Sequence, residues 1–236
     1  MNTTASNHII AIDGPAAAGK STVARTLADE LGALLFDTGA LYRAVTLLAL
    51  RASIPAADGA ALAALANASE ISVRPPSVDD GRQYDVLLDG EDVTWQLRAA
   101  AVDSMVSPVA THPDVRNALL SVQRDIARQG KVVMVGRDIG TVVVPDASVK
   151  VFLVASPEER ARRRSQELLD RGVPGRFEDV LAEIASRDDV DSGRDVAPLR
   201  PAADAIVVAT DGLSVPEVVA QIRAIVDRAW ARTAAR

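Results

Sequence analysis

HIIAIDGPAAAGKS, residues 8–21, joins a short apolar run to a glycine-bounded turn that closes on a lysine–serine pair. Within it, Gly14–Ser21 completes the pattern G-x-x-x-x-G-K-[ST], with an apolar run before it and helical spacing after it. Successive backbone N–H groups of such a loop wrap a phosphate, and the start of the following helix adds about half a positive charge. The loop therefore predicts a bound nucleoside triphosphate, held by Gly14, Pro15, Ala16, Ala17, Ala18, Gly19, Lys20, Ser21 and Thr22. Lys20 is expected to bridge the β- and γ-phosphates, and the Ser21 hydroxyl to ligate a Mg²⁺ ion that arrives with the nucleotide.

Outward from the loop, four more short apolar runs read as strands buried on both faces: Leu34–Phe36, Val132–Val135, Val149–Val154 and Ala205–Ala209. Helical spacing separates them. Val23, Leu27 and Leu31 recur four apart; Val115, Leu119, Val122 and Ile126 make one stripe; Val218, Val219, Ile222, Ile225 and Val226 make another over 216–230. Strands alternating with helices predict an α/β fold with a five-stranded parallel sheet flanked by helices. Two stretches break the alternation. Residues 67–98 carry Pro-Pro, Asp-Asp-Gly and Asp-Gly turns around short alternating runs, as a small antiparallel insertion would. Residues 157–200 are charged and helical, with breaks at Gly172–Gly175 and Gly193 that could serve as hinges. The alanine-rich Ala56–Ala68 reads as a surface helix.

Composition narrows the function. The 236 residues suffice for one full domain, and the absence of cysteine rules out disulfides and thiolate metal sites. No 18-residue apolar stretch and no basic-then-apolar leader is seen, so a cytoplasmic protein without a membrane partner is expected. A net charge of −6 argues against general nucleic-acid binding. Nothing in the sequence demands more than a monomer. Yet arginine is dense from Arg160 to Arg200, enough to grip a small anion. The third apolar run ends in Gly-Arg-Asp rather than a clean strand-end acid, and no N-K-x-D is present, which disfavours a GTPase or motor. A second anion beside the first is the better reading.

Asp37-Thr38-Gly39-Ala40-Leu41-Tyr42-Arg43 follows the second strand and opens a helix. There Thr38 and the helix N-terminus can hold a phosphate oxygen, with Arg43 one turn inside. A plainer reading makes Asp37 or Thr38 an N-cap and leaves Arg43 solvated. Likewise Arg137-Asp138 reads either as a ligand pair at a strand end or as a surface ion pair. Arg160, Arg163 and Arg164 share a helix face, either as a lid closing over a phosphoryl group or as a solvated face paired with Glu159.

The blocks IIAIDGPAAAGKST, FDTGALYRA, VGRDIGTVVVPDA, RDDVDSGRDVAPL and PAADAIVV appear in the order found in the bacterial cytidylate kinases, and the chain resembles that family over residues 8–210. The insertion at 67–98 also resembles the family's acceptor-binding insert. The resemblance implies a phosphate-loop kinase fold in one domain: a core of 8–66, 109–156 and 199–236, an acceptor-binding insert at 67–108 and a helical lid at 157–198. It implies MgATP-dependent phosphoryl transfer to CMP or dCMP, with Lys20, Arg137, Arg163 and Arg194 acting on the transferred group. By the same resemblance Arg137 holds the acceptor phosphate, while Ser107, Arg116 and Asp138 read the cytosine edge. Arg187 and Asp191 are implied on the acceptor sugar and Arg194 on its phosphate; with spacing i, i+4, i+7 they share a stripe if the helix runs past Gly193. A kinase for another small acceptor, or a regulatory module that only binds ATP, stays open. Neither histidine, His8 or His112, falls in a block, and both read as structural. One departure stands out. Many relatives carry glycine where this chain has Ala17, and a left-handed backbone there would cost alanine about 1 kcal/mol or more.

Overall fold

The structure is a computed structural model that describes residues 8–170, 172–173 and 175–234. Its strands are β1 (Ile9–Asp13), β2 (Leu34–Asp37), β3 (Ile71–Arg74), β4 (Asp85–Leu88), β5 (Glu91–Asp92), β6 (Val132–Gly136), β7 (Val149–Val154) and β8 (Ile206–Ala209). All five apolar runs enter one parallel five-stranded sheet, ordered β2-β6-β1-β7-β8. Every residue of β1 and β6 is buried, which is why both read as unbroken apolar runs. β8 departs from the expectation. It ends the sheet, and Ile206 and Val207 stay 45% and 54% exposed. An edge strand at the end of the order has one strand neighbour, so apolar composition alone overstated its burial.

Contacts divide the chain into two compact units, one comprising residues up to Ala33 with Val133 onward, the other Leu34–Val132. In the first unit, α1 (Lys20–Leu31) buries Val23, Leu27 and Leu31 on the predicted stripe and stops at Gly32, whose φ of 57° ends the helix in the left-handed region. It packs beside α8 (Val215–Ala234), where Val218, Val219, Ile222, Ile225 and Val226 are buried as their spacing predicts. Trp230 on α8 donates Nε1–H to Ser148 Oγ and meets the His8 ring edge-on at 4.7 Å. The charged segment forms a hairpin of α6 (Pro157–Asp170) and α7 (Phe177–Ser192) around a small apolar cluster of Ala161, Val180 and Ile184. α7 ends at Ser192 with Gly193 as its C-cap, so Arg194 leaves the helical stripe expected for Arg187 and Asp191.

The second unit holds α2 (Gly39–Arg51), α3 (Gly59–Ala68), α4 (Ala100–Val109) and α5 (Pro113–Ala127), together with the antiparallel sheet β3-β4-β5. α3 is the alanine-rich segment. It is not a simple surface helix: Leu62, Ala63 and Ala66 are buried and the helix packs on α5. His112, at the start of α5, bonds the Ala56 carbonyl through Nε2.

Beside its buried apolar residues, the small sheet carries a knot of charged side chains. Arg74 opposite Asp85 in the β3–β4 register donates Nε–H to it, and the fully buried Asp85 also accepts from Arg82 at 3.0 Å and the Ser77 amide at 3.2 Å. Arg82 reaches on to Asp80 and Asp92, and Trp95 donates to Asp80. Burial opposes ionisation of Asp85, but the bonds from Ser77, Arg82 and Arg74 outweigh it and hold its carboxyl well below the usual carboxylate range. Its stabilising contribution is therefore present above pH 4 and is lost on acidification below that. Arg82→Ala should leave Asp85 buried with fewer partners, lower the melting midpoint, and make residues 75–95 the first site of limited proteolysis. Unchanged melting and cleavage would show that the sheet does not depend on this knot.

Candidate nucleotide-binding site

β1 delivers the chain into the phosphate loop at the carboxyl end of the sheet. Gly14 takes φ 145°, and a Cβ there would collide with the carbonyl oxygen of Leu153 on β7. No side chain fits. Gly19, at φ 88°, precedes α1, which has no acidic residue in its first turn, so no carboxylate of that turn opposes the positive end of the helix. Lys20 is buried with Nζ donating to the Pro15 carbonyl at 2.6 Å, while Ser21 and Thr22 are exposed on the first turn. Ala17 sits at φ 57°, so the left-handed strain expected of it is real. Its methyl packs against Ala161, Val180 and Ile184 of the α6–α7 hairpin, which offsets part of the cost.

The hairpin also brings its arginines to this loop. Arg160 is buried; it forms a two-point pair with Asp188 at 2.5 and 3.0 Å and donates to the carbonyls of Ala155 and Ala16. Arg163 donates to Glu159, to Thr210 Oγ1 at 2.9 Å and to the Thr210 carbonyl at 2.7 Å, and its Nη1 lies 3.5 Å from where a Cβ on Gly19 would stand. Arg164 instead pairs with Glu167 on its own helix. The expected face thus splits, two arginines turning inward and one remaining with its helix.

A second cationic group gathers on Asp191, which is buried near the end of α7. Arg137, just after β6, donates Nε–H to Asp191 Oδ2 at 2.9 Å, and Arg194 donates to Oδ1. Arg137 therefore pairs across the fold with Asp191 rather than with its chain neighbour Asp138. Arg187 lies exposed one turn earlier on α7. Asp138 is buried and opens a π-type turn, Ile139–Val143, its carbonyl accepting from the amides of Val142 and Val143.

Sequence reasoning passed over Asp13. Its two carboxylate oxygens accept the amides of Ile139 and Gly140, each at 2.8 Å. Burial pushes this carboxyl up to about 6 against the pull of those amides, with Asp138 raising it further and Lys20 lowering it. The signal available was an acid at the last position of a strand otherwise wholly apolar.

The second unit positions its own candidates. Asp37 Oδ1 accepts the Gly39 amide, so Asp37 caps α2 while the buried Thr38 stands at the N-cap position. Arg43 is not left to solvent: it donates to the Leu97 carbonyl at 3.0 Å and to Asp103. Arg116 is buried with its guanidinium 5.3 Å from the Tyr42 ring centre and one N–H on the Ala110 carbonyl. Ser107 is exposed on α4. Tyr42, a neighbour in the block singled out for Arg43, was missed as the support for Arg116.

A glycine-bounded anion loop between a buried strand and a helix, at the carboxyl edge of a parallel sheet, defines a phosphate-loop nucleotide-binding protein. The chain belongs to the cytidylate kinase family, whose model matches residues 10–228. It is similar to the cytidylate kinase of Herpetosiphon aurantiacus, 54% identical over 211 residues that cover 89% of this chain and 90% of that protein. The cytidylate kinases of Chloroflexus aggregans (51% identity, 90% and 91% coverage) and Carboxydothermus hydrogenoformans (48%, 93% and 97%) are comparable relatives. In fold, the chain resembles a solved structure of an uncharacterized protein from Eubacterium ventriosum, with a TM-score of 0.50 and 13% identity over 93% of this chain and 98% of that one.

Three outcomes follow from the loop. Gly14→Ala should weaken nucleotide binding about tenfold or more, since overpacking against backbone costs about 1–3 kcal/mol; equal affinity by calorimetry would contradict the close approach. Ala17→Gly exchanges about 1 kcal/mol of left-handed strain for a lost buried methyl and a freer unfolded chain, so stability should stay within about 1 kcal/mol of wild type by urea unfolding. Asp13 has a folded value above that of an unfolded aspartate, so its contribution is full below about pH 4 and is lost as pH rises to about 6. The stability difference, wild type minus Asp13→Asn, should therefore rise by up to about 3 kcal/mol between pH 7 and pH 4.

Proposed function

We propose that the protein transfers the γ-phosphoryl group of MgATP to the phosphate of CMP or dCMP, giving ADP and CDP or dCDP. The observation that carries this reading is roughly half identity to proteins named cytidylate kinase over about nine-tenths of the chain. The chemistry agrees with it. A monophosphate has a second pKa near 6 and is largely dianionic at neutral pH, so no general base is needed. What the reaction needs is alignment and charge neutralisation.

Each set of residues has a part. Lys20 exchanges the Pro15 carbonyl for the β- and γ-phosphates, and the loop from Gly14 to Thr22 binds ATP. Gly14, whose place no side chain can take, and a first turn of α1 without an acidic residue fit such an anion. Among the described residues no cluster of three acidic or histidine side chains forms a metal site. The proposed protein ligand for Mg²⁺ is the Ser21 hydroxyl. The ion would neutralise charge on the transferring phosphoryl group. In the first unit, Arg137 and Arg194 move from Asp191 to the acceptor phosphate, Arg163 steadies the transferred group, Arg187 and Asp191 hold the sugar, and Asp138 accepts from the exocyclic amino group of cytosine. In the second unit, Asp37, Thr38 and Arg43 are proposed to bind the acceptor, and Ser107 and Arg116 to contact its base. The segment 157–198 is proposed as the lid and 67–108 as the acceptor-binding insert of one kinase domain. We further propose a monomer that acts in the cytoplasm without nucleic acid; no helix of the described residues is long and apolar enough to cross a membrane.

The direct test is ADP formation from MgATP with each nucleoside monophosphate in turn. Strong turnover with CMP and dCMP, weak with UMP and negligible with AMP and GMP, is expected; ATP binding with no acceptor-dependent turnover would refute the proposal. Arg137→Ala should lower kcat/KM for CMP by about 10²–10³-fold, the cost of removing one aligned charged donor. Asp138→Asn should erode the preference for CMP over UMP.

A further inference from the structure

We infer that Asp13 is a positioning residue that sets the acceptor-reading turn from the strand that carries the ATP loop. The inference rests on the kinase reading above, in which Arg137 and Asp138 meet the acceptor.

A helical turn begins with amides that have no partner in the turn itself. In Ile139–Val143 the first two of these amides are taken not by the residue before the turn but by both oxygens of Asp13, 126 and 127 positions away in sequence. The turn also lies against the carboxylate. A Cβ on Gly140 would stand in van der Waals contact with Asp13 Oδ2, at 3.4 Å, and close to the Lys150 side chain, at 3.2 Å. Asp138 and Arg137 immediately precede this turn, and Gly14 immediately follows Asp13. From the end of β1, one buried side chain thus sets the direction in which β6 presents its Arg-Asp pair. Lys20 and Asp138 are the charged groups that face it. Asp13 need not touch either substrate to act. Its contribution is the register between them.

This predicts an asymmetric defect. The Asp13→Asn side chain keeps its shape and one accepting oxygen but turns an N–H₂ group toward the other amide. The KM for CMP should rise about tenfold or more, as expected for losing a charged hydrogen bond, and discrimination against UMP should fall. The KM for ATP should move less than about threefold, and Asp13→Ala should extend the same pattern. An unchanged KM for CMP would overturn the inference. So would parallel losses for CMP and ATP, since they would make Asp13 a general support of the fold rather than of the turn. Absence of CMP turnover in the wild type would instead remove the kinase reading. In that event, hydrogen exchange decides the anchor without any substrate: the Ile139 and Gly140 amides should exchange faster in Asp13→Asn than in wild type while those of Met134 and Val135 do not. Equal exchange at the two turn amides would refute the anchor.

Discussion

The lack of room for a Cβ at Gly14, against the carbonyl of Leu153, constrains the start of the phosphate loop. It requires glycine where the chain leaves β1 beside β7, ahead of α1, which begins at Lys20. From that exit the other parts take their places. The ends of β6 and β8 supply Arg137 and Thr210 at the same edge of the sheet, and the α6–α7 hairpin meets the loop through Ala17 and Arg160. A parallel sheet brings its strand ends to one edge, so residues from distant blocks converge there without any one block encoding the arrangement.

The charge arrangement resolves an apparent conflict between a net charge of −6 and the proposed binding of two polyanions. The site arginines are each held by a counter-charge: Arg160 by Asp188, Arg163 by Glu159, Arg137 and Arg194 by one Asp191. A buried guanidinium without a partner would be costly, and these carboxylates supply the partner and hold the fork-shaped donors in place. In the proposed reaction, an incoming phosphate would replace one anion by another at a preset position rather than recruit loose side chains.

Much of this was legible in the sequence. The sheet was, because four of its five strands are buried well enough that composition alone marks them, and the loop was, because its spacing follows from the reach of backbone amides. Ala17 was legible to the level of a single dihedral angle. The misreadings have physical causes. β8 shares the apolar composition of its neighbours, but burial depends on what lies beyond an edge, which no local pattern records. Arg194 left its expected stripe because Gly193 ends α7 and a side chain beyond the cap reaches Asp191 by a different path. Asp13 was invisible because its partners are backbone amides more than a hundred residues away, and amides carry no residue type.

The chain has two tryptophans, and the fold has put one in each compact unit: Trp230 on α8 of the first, Trp95 beside the charge knot of the second. Trp230 is partly buried against His8 and Ser148, whereas Trp95 is 45% exposed with its indole N–H on a carboxylate. The two indoles therefore differ in polarity and in quencher access, so intrinsic fluorescence carries two separable signals. With either tryptophan replaced by phenylalanine, the remaining one reports its own unit, and the native chain becomes a spectroscopic record of whether the two units melt together or in turn.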